Sequence, residues 1–174
     1  MFSRNRPRRL DTEEELYEVA LRALMRRAHS VHEMKQKLAR RTKNELLVRV
    51  VMARLKENGH LNDEKYAQQF ARNRSQSRKQ GKFRIARDLR ARGVPDKDIN
   101  AALEEASATA DQAAMVRLRI ERKMRSYRGE IDERKIASIY GSLLRAGFAS
   151  DIVRKELKNL TREEIAAPEV EEDS

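Results

Sequence analysis

One pattern of apolar residues and glycine occurs twice in this chain without a gap, and it narrows the fold more than any other feature. Counting from Leu89, Gly93 lies four residues on, Ile99 ten and Leu103 fourteen; counting from Leu143, the same offsets reach Gly147, Val153 and Leu157. A repeat of this kind calls for a row of like units rather than one irregular domain. From Leu38 the same offsets reach Thr42, Val48 and Met52, so an earlier copy keeps the apolar positions and loses the glycine. The turn at Thr42 is therefore expected to be of another kind.

The middle copy is the most legible. In GKFRIARDLRARGVPDKDINAAL, from Gly81 to Leu103, the apolar positions Phe83, Ile85 and Leu89 recur at roughly helical spacing. Gly93 then tolerates positive φ just past the helix, and Pro95 stands where a second helix can begin. That helix has Ile99, Ala102 and Leu103 as its apolar stripe. A third helix is expected before this pair, in DEKYAQQFARNRSQSRKQ, capped by Asn62 or Asp63 and packing through Tyr66, Ala67, Phe70 and Ala71.

The same trio is expected on either side. Before it, a helix starting near Thr12 buries Leu16, Val19, Ala20, Ala23 and Leu24. A second follows the capping box Ser30 to Glu33, with Met34 and Leu38 inward. A third, from about Asn44 to Asn58, buries Leu47, Val48, Val51, Met52 and Leu55 and stops at Gly59. After it, the longest helix is expected from Thr109 or Asp111 through Met115, Leu118, Ile120 and Met124. Asp132 then opens the segment holding Leu143, Leu144, Gly147 and Phe148, and a last helix capped by Ser150 carries Ile152, Val153 and Leu157.

The predicted fold is thus all-α, with three tandem three-helix, helix-turn-helix-like repeats forming an elongated curved body. The expected division is a flexible basic arm at 1–11, repeats at 12–60, 61–108 and 109–160, and a disordered acidic tail at 161–174. Composition agrees: 5% aromatic residues, no tryptophan and 39% charged residues are lean for one thick core, while 39% hydrophobic residues suffice for several small ones.

Charge points to the partner class. The chain carries +11, yet residues 161–174 hold six acids against one arginine, so removing their −5 leaves +16 on the rest. Such an excess attracts polyanions, and nucleic acid is the commonest of them. With no strongly apolar amphipathic segment, no signal peptide and no run of about 20 apolar residues, a membrane is not expected as partner and a cytoplasmic location is. There is no cysteine, which removes disulfides and thiolate chemistry.

No catalytic constellation is found. His29 and His32 are three apart, but Ser30 between them reads as a helix cap, which breaks the geometry of a helical ligand pair, so no metal site is expected. Gly81-Lys82 lacks the rest of a phosphate-binding loop, and no cofactor is expected. What remains is basic clustering. Arg72, Arg74, Arg78, Lys79, Lys82, Arg84, Arg87, Arg90 and Arg92 form one run, opposed within it only by Asp88. Arg117, Arg119, Arg122 and Lys123, with Arg125 and Arg128 beyond, form a second. Both are candidate partner- or nucleic-acid-binding surfaces, and few aromatics accompany them for base stacking.

Four fragments in order then resemble the RecX-type regulators of the RecA recombinase, over roughly Leu16 to Leu160. Arg27, Ser30, Glu33, Met34, Lys37 and Leu38 are similar to that family's R-x-x-S-x-x-E-L-x-x-K-L element. Gly59, Leu61, Asn62, Asp63, Tyr66 and Ala67 resemble its G-x-[IL]-[DN]-D-x-x-[FY]-A junction. Gly81, Arg84, Ile85, Leu89, Arg92, Gly93 and Val94 resemble its middle run, and Leu143, Gly147 and Phe148 its terminal L-x-x-x-G-[FY]. Ser30, Glu33, Asp63, Gly93, Gly147 and Phe148 are thereby structural motif positions. The resemblance implies a noncatalytic inhibitor that binds the recombinase filament on single-stranded DNA and limits filament growth, ATP hydrolysis and strand exchange, and a monomer is expected. It leaves direct DNA binding open. The competing reading is a helix-turn-helix protein acting on duplex DNA, but the acids Asp96 and Asp98 at the start of the second helix would face phosphate.

Overall fold

The computed structural model describes residues 12–108, 111–127 and 131–166, with side chains as far as residue 160. The expected basic arm at 1–11 lies outside the described residues, as do Arg128 and the tail from 167 onward. All regular structure among the described residues is helical: α1 Glu13–Arg26, α2 Val31–Ala39, α3 Glu45–Glu57, α4 Asp63–Gln76, α5 Lys82–Arg90, α6 Asp96–Ala108, α7 Gln112–Ser126, α8 Glu133–Arg145 and α9 Ser150–Ala166. None of these is long and apolar enough to cross a membrane.

Local chemistry explains most of the boundaries. A side-chain oxygen accepts from an amide three residues on at the start of α1 (Thr12), α3 (Asn44), α4 (Asn62), α7 (Asp111) and α8 (Asp132). At α2 the capping box is complete: Ser30 Oγ accepts from the Glu33 amide at 3.1 Å and Glu33 accepts from the Ser30 amide at 3.2 Å.

The repeated glycines close their helices by one hydrogen-bond scheme. Gly93, at φ +69°, donates to the Arg90 carbonyl while Val94 donates to Leu89; Gly147, at φ +89°, donates to Leu144 while Phe148 donates to Leu143. Both are the paired bonds that satisfy the orphan carbonyls of a helix end, and an L side chain would be strained at either glycine. The Thr42 turn is indeed different. No residue there has positive φ, Thr42 is buried, and its Oγ1 accepts from the Asn44 amide at 3.2 Å, linking the turn to the next helix cap.

Several expectations are corrected. Phe83 is 58% exposed, because the inward face of α5 is Ile85, Ala86 and Leu89 and Phe83 lies off it. Leu118, on the expected apolar pattern of α7, is likewise exposed. Helix α4 ends at Gln76 rather than continuing to Gln80, and Lys79 in the following loop has φ +51°. Among the described residues the longest helix is α9 with 17 residues, not α7 with 15, and Ser150 is its first residue. The α9 backbone runs on to Ala166, so residues 161–166 are helical where an acidic tail was expected.

By contacts the chain falls into two compact units. The first comprises the described residues up to Phe70 with Asp88–Ala102; the second comprises Ala71–Arg87 with the described residues from Leu103 onward. The first has a core of Leu16, Ala20 and Ala23 from α1, Met34 and Leu38 from α2, and Val48, Val51, Met52 and Leu55 from α3. The second has Val116 and Ile120 from α7, Ile139 and Leu143 from α8, with Phe148, Val153 and Leu157. Fully burying one such side chain is worth about 1.5–3 kcal/mol, so each small core is a substantial driving force.

The same joint occurs inside each unit. In the first, the α5–α6 turn sits on the start of α2: Ser30 Oγ donates to the Arg92 carbonyl at 2.6 Å, and a Cβ on Gly93 would lie 2.5 Å from His32 Cβ. In the second, the α8–α9 turn sits on the start of α5: Gly81 donates to the Ala146 carbonyl at 2.9 Å and Phe83 to Gly147 at 3.1 Å. A Cβ on Gly81 would lie 2.2 Å from Gly147 backbone, so this approach admits no side chain. Ser30 and Gly81 hold equivalent positions, four residues before Met34 and Ile85, yet one joins through a hydroxyl and the other through its amide.

Candidate functional site

The motif positions converge, and they do so structurally. Around the first turn of α2, Asp63 Oδ1 accepts from the Val31 amide at 2.9 Å, adding a second cap from the start of α4. Arg27 donates to Glu33 at 3.0 Å, and Arg92 approaches the other Glu33 oxygen at 3.9 Å. Burial alone would raise the Glu33 pKa, but the bonds from Arg27 and the Ser30 amide outweigh it and hold the carboxyl below its ordinary value. Burial raises that of Asp63. His29 is buried with Nδ1 2.9 Å from the Arg27 carbonyl, and burial holds its pKa low. Ser30, Glu33, Asp63 and Gly93 are thus parts of one joint, and Gly147 and Phe148 belong to its counterpart in the second unit.

The basic residues divide into engaged and unengaged sets. Arg92 is half-buried, reaches the Asp88 carbonyl and lies 4.8 Å over the Phe70 ring. Arg90 pairs with Asp96 at 2.8 Å, Arg72 with Glu105 at 2.8 Å, and Arg117 with the buried Glu156 at 3.0 Å. Arg125 pairs with Glu121 at 3.3 Å. Arg84 is half-buried and its guanidinium reaches the Arg145 carbonyl at 3.4 Å. Arg74 is half-buried in the last turn of α4, whereas Lys82 and Arg87 are exposed on α5. Acids distant in sequence therefore neutralise part of both runs.

Five cations that no acid pairs among the described residues come together in the second unit. A cleft of about 540 Å³ is lined by Arg78 and Lys79 from the α4–α5 loop and by Arg119, Arg122 and Lys123 from α7; Ala114, Met115, Leu118 and Leu143 supply apolar surface. Volumes of roughly 300–1,000 Å³ are usual for ligand sites. No carboxylate lines this cleft. Arg119 donates to the Arg78 carbonyl at 3.1 Å and lies 5.6 Å over Phe148, and no ion pair engages it among the described residues. Burial, with Arg122 and Arg84 adding like charge, lowers its pKa. Four further cations lining the cleft with the partly desolvated Arg119 guanidinium make a site that an anion would relieve. The two sequence clusters were legible separately; that they share one cleft was not, because Arg78 and Arg119 are 41 residues apart.

Comparison with known proteins follows the same motifs. A family model described as the second three-helix domain of RecX matches residues 62–103. The regulatory protein RecX of Halorhodospira halophila is 39% identical over 142 residues, which cover 81% of this chain and 85% of that protein. That of Mycolicibacterium smegmatis is 32% identical over 154 residues, covering 84% and 82%. A crystal structure of RecX from Lactobacillus salivarius has the same all-helical repeat fold, with a TM-score of 0.76 at 23% identity over 86% of this chain and 96% of that one.

Proposed function

The chain belongs to the RecX family of regulatory proteins, and from that premise we propose that it is a noncatalytic, monomeric cytoplasmic inhibitor of a RecA-type recombinase. It binds the recombinase filament on single-stranded DNA and limits filament growth, ATP hydrolysis and strand exchange. The observation that carries this reading is the gathering of Arg78, Lys79, Arg119, Arg122 and Lys123 in a cleft without an acid, since a nucleoprotein filament presents phosphates and acidic protein surface together. We also read the chain as three tandem three-helix repeats at 12–60, 61–108 and 109–160. The recurring joint, a turn of one repeat on the second helix of the one before, supports that division.

The exposed Lys82 and Arg87, with Arg74 and Arg84, are further candidates for the proposed basic contact, whereas Arg72, Arg90, Arg92 and Arg117 face acids and offer less charge to a partner. The duplex-reading alternative finds no support at α6, whose first turn carries Asp96 and Asp98, with Asp96 held by Arg90. The test is direct. Added below stoichiometry to RecA, single-stranded DNA and ATP, the protein slows ATP hydrolysis, and Arg119→Gln with Arg122→Gln weakens the effect and flattens its salt dependence. No effect of the unmodified chain at equimolar ratio and low salt refutes the proposal.

A further inference from the structure

The cleft in the second unit is a mixed surface, and its two halves ask for different things. Arg119 and Arg122 seek anions, while Leu118, 49% exposed, and the half-buried Met115 form an apolar floor laid over the core residue Leu143. A phosphodiester chain alone would satisfy the cations and leave that floor in water. A nucleobase could cover the floor, but none of the cleft residues is aromatic to stack it, and an arginine turned to a guanine edge would be withdrawn from the phosphates. An acidic peptide with one large apolar side chain matches both halves. Its carboxylates take the planar guanidinium donors, and its apolar side chain lies against Met115, whose unbranched thioether adapts to varied shapes.

We infer that this cleft is a docking site for an acidic segment of a partner protein, in which a single aromatic or aliphatic side chain seats between Met115, Leu118 and Leu143 while flanking carboxylates engage Arg119 and Arg122. The site goes beyond the proposed function, since it specifies a protein rather than a nucleic-acid contact, and its test contains neither recombinase nor ATP. Failure of the inhibition assay and failure of this inference are therefore separate results.

The experiment uses the full chain and three fluorescein-labelled probes at low salt, read by anisotropy. These are an acidic nonapeptide with a central phenylalanine, the same peptide with serine in that place, and an oligothymidylate of equal charge. The phenylalanine peptide binds saturably and the serine peptide binds about tenfold more weakly or worse, the factor expected for burying one large apolar side chain. Leu118→Ser, at a half-exposed position, abolishes that preference and leaves oligothymidylate binding unchanged. Arg119→Gln weakens both peptides alike. As a check that needs no variant, the methyl resonance of Met115 in the unsubstituted chain shifts with the phenylalanine peptide and not with the serine one. Equal affinity for the two peptides, absence of saturable binding, or a Met115 shift produced by oligothymidylate instead would each overturn the inference, the last assigning the cleft to nucleic acid.

Discussion

Gly59 and Gly93 offer an internally controlled test of the joint. Both lie in the first unit, and both end a helix with nearly the same backbone angle, φ +70° and +69°. They differ in what surrounds them. A Cβ on Gly59 would meet nothing within 4 Å, whereas one on Gly93 would lie 2.5 Å from both Cβ and Cγ of His32. Gly59→Ala therefore incurs only the left-handed strain of an L residue, about 1 kcal/mol. Gly93→Ala incurs the same strain and must also push the turn off α2, since the blocking atoms are the root of the His32 side chain and not its movable end. Overpacking costs roughly 1–3 kcal/mol, and displacement also stretches the Ser30–Arg92 bond of 2.6 Å, worth about 1 kcal/mol. The expected total is about 3–5 kcal/mol for Gly93→Ala against about 1 for Gly59→Ala, a difference of roughly 30-fold or more in the unfolding equilibrium. Equilibrium urea unfolding of both variants measures this, with hydrogen exchange of the α2 amides showing where protection is lost. Equal costs within about 0.5 kcal/mol would refute the claim that close approach, rather than φ, makes Gly93 obligatory.

Two further outcomes follow from the same joint. Ser30→Ala removes the α2 cap and the bond to Arg92 together and is expected to cost about 2–3 kcal/mol in urea unfolding, against about 1 for Asn44→Ala at an exposed cap; equal costs would show the interhelical bond to be dispensable. On acidification, His29 acts first. Its pKa is depressed from 6.5 by burial, so its contribution is complete above that value and is lost as pH falls below it, and His29→Gln should flatten the decline of the melting temperature in that window. At lower pH Glu33, depressed from 4.5, loses stability in the same direction while Asp63, raised by burial, opposes it, so the His29 window is the one to measure.

Much of the helical layout was legible because its causes are short-range. The Ser30–Glu33 box, the Asn44, Asp111 and Asp132 caps and the closures at Gly93 and Gly147 each act across three to five residues. Periodicity located Leu38, Leu89 and Leu143 on inward faces for the same reason. It misplaced Phe83 and Leu118, whose residue type is apolar but whose angular position on the helix is not inward. The basic runs were less legible still, since charge counts along a window omit partners from elsewhere: Glu105 reaches Arg72 across 33 residues and Glu156 reaches Arg117 across 39.

The sequence by itself thus determined the helices, their caps, the repeat and the resemblance it carries, all of which rest on contacts within a turn or on a period that any reader can count. Only the tertiary structure decided which cations remain unpaired and that Arg78 and Lys79 share a cleft with Arg119, Arg122 and Lys123. It also decided that Gly81 and Gly147 meet backbone to backbone. These are the contacts of residues tens of positions apart, where distance along the chain carries no information about distance in space.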